Sequence, residues 1–228
     1  MKNLFALSFT TLFLAVTGCQ MDQSPDPEII IEPPISTLIA HDTITTGNYL
    51  GMSIGDEAES IYSVLQFLQQ TSGVTAINIV SNISSDITKL RDRIALYDYI
   101  LLDQNTGTDT GVQITLEKNK VKAIYLNSGK KLSQWPEKGK PEASVRMGDE
   151  AGALYGKLFN ISKDKSHSNK FQRISLLTKN LNSPFDPEMA RSPQWYFAHK
   201  TGPGLWEVVM AHFKEGKLNA VEVQRYRD

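Results

Sequence analysis

Four histidines, a single cysteine and an acidic pair written twice are the residues of this chain whose types suit chemistry. Of His41, His167, His199 and His212, only His199 and His212 fall in strands of one predicted hairpin, where two imidazoles are the beginning of a metal site. No HExxH or paired-cysteine spacing completes them, so no metal is expected. The acidic pairs Asp56–Glu57 and Asp149–Glu150 open two GDEA stretches. Adjacent carboxylates on a helix do not converge on one reacting atom, so acid–base catalysis is a poor use of them. At a helix entrance they suit the positive end of the dipole, with Asp56 or Asp149 expected to cap a free N–H. TGTDTG and TGPG lack the helix and lysine of a phosphate loop, and no serine stands in a nucleophile elbow. This inventory predicts a protein without cofactor or catalytic machinery, leaving an enzyme as the least favoured reading. Cys19, the only cysteine, cannot form a disulfide within the chain.

The elements around Cys19 give it a use. MKNLFALSFTTLFLAVTGC has one basic residue, an apolar run and small residues before the cysteine, the pattern of an export signal. Its end, VTGC, resembles the lipobox of bacterial lipoproteins, which implies acylation of Cys19 and a lipid anchor without a spanning helix. Gln20, in place of the aspartate associated with inner-membrane retention, implies the outer membrane with the protein facing the periplasm. The following QMDQSPDPEIIIEPPISTLIAHD holds four prolines and predicts a solvated tether, its IIIE patch being an alternative docking strand. A formal net charge of -1 argues against a nucleic-acid partner. Residues 117–146 carry eight basic and three acidic side chains, read chiefly as a solvated rim.

Beyond the tether the chain repeats itself. GDEAESIYSVL starts at Gly55 and GDEAGALYGKL at Gly148, ninety-three positions later. Downstream, VQITLEKNKVKAIYL and VMAHFKEGKLNAVEV again run in the same order, each an alternating pattern about a lysine-flanked turn. Gly216 supports the KEGK turn, and Asn119 holds the matching place in EKNK. Ala58, Ile61, Tyr62, Leu65 and Leu68 recur at helical spacing, as do Ala151, Leu154, Tyr155, Leu158 and Ile161. Further helices are expected in SDITKLRDRIALYDYI, before its later residues turn into strand, and in FQRISLLTKNL. The predicted fold class is α+β, two tandem helix-plus-antiparallel-sheet modules. The organisation reads as residues 1–18 signal, 19–46 lipidated cysteine and proline-rich tether, 47–130 first repeat, 131–139 linker and 140–228 second repeat.

Alternation in LWEVVMAHF assigns two faces. Val209, Ala211 and Phe213 match Val112, Ile114 and Leu116 and are expected to face the helices. Trp206, Val208, Met210 and His212 then form an outward row suited to a protein partner, or to packing between modules. Trp135, in the linker, is expected to be either a rim anchor for the same partner or a plug at the junction. Trp195 is expected inside, with Tyr196 facing out.

GNYLGMSIGDEAESI together with FKEGKL resembles the BamE-like (SmpA/OmlA) lipoprotein domain and the related beta-lactamase inhibitory protein fold, over roughly residues 47–228. That resemblance implies tandem helix-plus-sheet modules and a non-catalytic envelope lipoprotein binding a protein through its sheet, as an assembly accessory or enzyme inhibitor. A periplasmic immunity lipoprotein neutralising a secreted toxic enzyme is the alternative. The implied partners are the membrane, through Cys19, and an envelope or secreted protein.

Overall fold

The computed structural model describes residues 36–228, so the signal, Cys19 and most of the tether lie outside the described residues. The principal elements are β1 (Thr37–Ile44), α1 (Ala58–Ser72), β2 (Ala76–Ile79), β3 (Tyr97–Asp103), β4 (Val112–Glu117), β5 (Lys120–Leu126), α2 (Ala151–Ser162), β6 (Arg173–Asn180), β7 (Gln194–Gly202), β8 (Leu205–Lys214) and β9 (Lys217–Arg227).

Both helices arise where the sequence places its apolar stripes. α1 buries Ala58, Ile61, Tyr62, Leu65 and Leu68 and stops at Gly73, whose φ of 68° is cheap only for glycine. α2 buries Ala151, Leu154, Leu158 and Ile161, with Tyr155 half-buried against the core. Their entrances correct one expectation. The N-cap residues are Glu57 and Glu150, neither making a side-chain cap bond. The Asp149 carboxylate instead accepts from the Arg146 N–H at 2.7 Å and from Lys157 Nζ at 2.6 Å. The helix starts are satisfied by backbone: Ala58 N–H donates to the Gly216 carbonyl and Ala151 N–H to the Asn119 carbonyl, each at 2.8 Å.

Those two bonds reveal how the repeats are joined. GDEA of the first repeat lies along the β8–β9 turn of the second, with Gly55 N–H on Leu218 O and Leu218 N–H on Asp56 O, both at 2.8 Å. GDEA of the second lies along the β4–β5 turn of the first, with Gly148 N–H on Val121 O and Val121 N–H on Asp149 O, again at 2.8 Å. Each repeated motif covers the edge of the other repeat's hairpin, leaving those strand ends paired rather than open. The turns require left-handed residues, which Glu215 (φ 54°) and Gly216 (φ 78°) supply in one and Lys118 (φ 51°) and Asn119 (φ 62°) in the other.

The exchange continues in the strands. A single 11-stranded sheet runs β1-β9-β8-β7-β2-β6-β3-β4-β5 and ends on Lys131–Leu132, while Ile83–Ser84 pairs with β6. The pairings within it are antiparallel. The strand after each helix crosses to the other repeat: β2 joins β7, β6 joins β3, and β2 and β6 pair with each other at the centre. Two separate helix-plus-sheet modules are therefore incorrect, because neither repeat closes its own sheet. Buried residues of both repeats form one continuous core.

Three local expectations are also corrected. FQRISLLTKNL begins at the last residue of a short 3₁₀ turn, Ser168–Phe171, and forms central strand β6 rather than a helix. Paired on both sides, β6 buries Ile174, Ser175, Leu176 and Lys179, which erases the clean alternation of a half-exposed strand. SDITKLRDRIALYDYI forms two 3₁₀ turns, Ile87–Leu90 and Ile94–Leu96, before strand β3. The end of the predicted tether, Thr37–Ile44, is edge strand β1 on β9.

Candidate functional site

The histidines do not assemble a centre. His199 and His212 lie on one hairpin but on opposite faces, opposite Glu207 and Gln194 respectively. His199 is buried with its Nε2 3.2 Å from Glu207, whereas His212 Nε2 lies 3.3 Å from Glu222 Oε2 and His41 Nε2 2.9 Å from Glu222 Oε1. Each pair is held apart by the sheet, so no metal joins His199 to His212.

The buried carboxylates are explained by the joints they make. Glu207 accepts from Tyr49 Oη at 2.6 Å and from Arg225 Nε at 2.7 Å, tying the turn before α1 to β8 and β9. Burial raises the Glu207 carboxyl, but the bonds from Tyr49 and Arg225 outweigh it and hold the group below its ordinary range. Burial, then the Glu207 charge, pushes the Tyr49 phenol up to about 12. Asp186 accepts from Tyr97 Oη at 2.6 Å and Arg93 Nε at 2.9 Å. Asp103 accepts from Thr108 Oγ1 at 2.7 Å and Asn127 Nδ2 at 2.9 Å, closing TGTDTG as a folded loop. Here every carboxylate is engaged by neighbours that position a loop or strand.

The sheet face turned away from the helices is a different kind of surface. On β8, Glu207, Val209, Ala211 and Phe213 are buried while Trp206, Val208, Met210 and His212 are partly exposed. Cross-strand register extends the Met210 position into a row reading Thr43, Glu222, Met210, Tyr196, Asn78, Thr178, Tyr99, Thr115 and Ala123. At its middle Thr178 Oγ1 donates to Asn78 Oδ1 at 2.9 Å. Tyr196 and Tyr99, matching residues of the two repeats, flank that pair and line a depression of about 340 Å³. Three strand spacings separate them by about 14 Å. Trp206 stacks on Tyr226 at 4.4 Å, and its indole N–H donates to Asp228 at 3.1 Å, which fixes the aromatic end of the face.

Trp206, Val208, Met210 and His212 thus share one face, and Trp135 is not among them. It is 6% exposed and packs on His167 and Phe171, ring centroids 5.6 and 6.3 Å away, as a plug beneath the connecting segment. Trp195 is buried and Tyr196 exposed. Alternation alone missed Tyr99, Asn78 and Thr178, because their membership depends on which strands meet across the repeat.

No protein-family model, curated protein or solved structure matches the chain. With one exchanged sheet in place of tandem modules, the identification with BamE-like and beta-lactamase inhibitory domains is overturned: the short motifs that suggested it are local features of helix entrances and hairpin turns.

Proposed function

We propose that this chain is a non-catalytic envelope lipoprotein, anchored through Cys19 to the outer membrane on its periplasmic side, that holds a protein partner against the open face of its sheet. The observation that carries the reading is the central row of that face. It spans nine strands, contains Met210 and two tyrosines, and has Glu222 as its only carboxylate or cation. Tyrosine side chains lose little entropy when a partner covers them, and the adaptable methionine beside them adds apolar area from which water is excluded. Around them, Trp206, Val208, His212 and Tyr226 offer a rim mixing apolar area with hydrogen-bonding edges.

Photo-crosslinking in intact cells tests this directly, with probes at Met210 and at Gln113, which occupies the same face on β4. Capture of one envelope protein from both positions is the expected result. Capture only when a secreted toxic enzyme is supplied would favour neutralisation, and capture from neither would remove the face as the site. Replacing Trp206 and Met210 together by alanine should reduce capture from the Gln113 probe about tenfold or more while leaving the melting temperature nearly unchanged, since both side chains are partly exposed. A second arm addresses the anchor: Cys19→Ala is expected to release the chain from the washed membrane fraction, and retention there would rule out acylation as the main attachment.

A further inference from the structure

Positive charge is concentrated at one edge of the sheet. Residues 117–146 carry eight basic and three acidic side chains in a chain of formal net charge -1, and the fold gathers that stretch into a single rim. Lys118 sits in the β4–β5 turn, Lys120 and Lys122 lie on β5, and Lys131 stands opposite Tyr125 on the last short strand. Lys138 and Lys140 belong to the segment joining the paired strands Gln134–Trp135 and Val145–Arg146, beside Asn160 and Ile161 of α2. The seven lysines from Lys118 to Lys140 are all exposed. Lys120, Lys122 and Lys130 meet Glu150, Glu117 and Glu137 in ion pairs more than half exposed on both sides, and pairs so exposed hold their lysines weakly. Lys118, Lys131, Lys138 and Lys140 pair with no carboxylate among the described residues.

An exposed apolar side chain stands within this rim. Met147, 42% exposed, donates its N–H to the Ser133 carbonyl at 3.1 Å. Gly148 and Asp149, which follow it, bond to both backbone groups of Val121, the residue between Lys120 and Lys122. Met147 is therefore held between the lysines of β5 and those of the last strand. Tyr125 adds a half-buried ring, with Lys131 Nζ 6.0 Å from its centroid. Lysines around a methionine and a tyrosine suit a phospholipid surface. Their ammonium groups reach anionic headgroups while the apolar side chain and the ring enter the boundary with the acyl chains. We propose that this rim is a contact site for an anionic phospholipid bilayer. The choice of a lipid surface over another polyanion rests on Met147 and Tyr125, and on the proposed anchor at Cys19, which keeps a bilayer within reach. The contact is screened by salt, so washing removes it and it does not substitute for the anchor.

Vesicle cosedimentation tests the rim without the anchor. Residues 20–228 hold the whole described fold, with its one continuous core, and lack both Cys19 and the apolar leader. Failure of the anchor is scored separately, by the fractionation of Cys19→Ala. Vesicles of equal parts phosphatidylglycerol and phosphatidylcholine are expected to sediment residues 20–228 at about 0.05 M salt, with binding at least tenfold weaker by about 0.3 M. Pure phosphatidylcholine vesicles are expected to leave the protein in solution. Replacing Lys118, Lys131, Lys138 and Lys140 together by glutamine should weaken binding about fivefold per lysine. All four side chains are exposed, so an unchanged melting temperature shows that the variant is folded. Met147→Ser, also at an exposed position, should weaken binding about threefold. No sedimentation with the anionic vesicles, equal sedimentation with both compositions, or full binding by the folded glutamine variant would each overturn the proposal. Binding indifferent to Met147→Ser would reduce the rim to a general polyanion site and overturn the assignment to a bilayer.

Discussion

Asp186→Ala should lower stability by about 3–5 kcal/mol, because it removes one member of a buried charged pair and leaves the other in place. The Asp186 carboxylate is 1% exposed and Arg93 only 16%, so little water can replace the lost partner. Three groups are stranded together. Arg93 loses its bonds at 2.9 and 3.1 Å, Tyr97 Oη loses its acceptor at 2.6 Å, and the Glu188 N–H loses the cap that starts the turn before β7. The lesion also spans the repeat, since Arg93 and Tyr97 belong to the first copy and Asp186 to the second. For a folded unit of this size the loss corresponds to a fall in melting temperature of roughly 10 °C. Asp186→Asn keeps an acceptor for Tyr97 and for the cap, and should fall between the two proteins. A shift of under about 3 °C for the alanine variant would mean that water reaches Arg93, contrary to its buried setting.

That joint shows what could be read in the sequence and what could not. Helix stripes, hairpin turns and the inward set Val209, Ala211 and Phe213 follow from period and turn chemistry, which are local. Partner choice is not local. Gly55–Ala58 and Gly148–Ala151 are fully intelligible as helix entrances, yet nothing in them says that each docks on the distant turn rather than the nearby one. The same ambiguity hid the row through Tyr196, Asn78, Thr178 and Tyr99, whose strands come alternately from the two repeats. At β6 the obstacle was burial on both faces, where Ser175 and Lys179 are enclosed by neighbours and the apolar pattern loses its period. β1 was obscured differently: its side chains are mostly exposed, so it gave no apolar face to read.

Lys179 turns the departure at β6 into an expected gain. It is fully buried, with Nζ 3.3 Å from the Asn180 carbonyl and 5.2 and 5.8 Å from the ring centroids of Tyr62 and Tyr97. Burial lowers its pKa to about 8, and the charges of Asp186 and Asp98 offset only part of that. The unfolded chain releases this proton near 10.5. Between those values the unfolded state binds more protons than the folded one, so stability rises as pH rises, and the full cost of burying the charge is borne below pH 8. The gap corresponds to roughly 3 kcal/mol at pH 7. Burial also raises the phenols of Tyr62 and Tyr97, so their ionisation in the unfolded chain opposes the trend above about pH 10 and sets the upper end of the window. Lys179→Met, of similar length and without the charge, should therefore be more stable than the parent at pH 7 by about 1–3 kcal/mol, and should lose the rise between pH 8 and 10. Urea unfolding of both proteins at intervals across that range separates the alternatives. Equal slopes would assign the pH dependence to other groups. A methionine variant less stable at pH 7 would show that the two tyrosine rings and the Asn180 carbonyl hold the ammonium well enough to make it a stabilising member of the core.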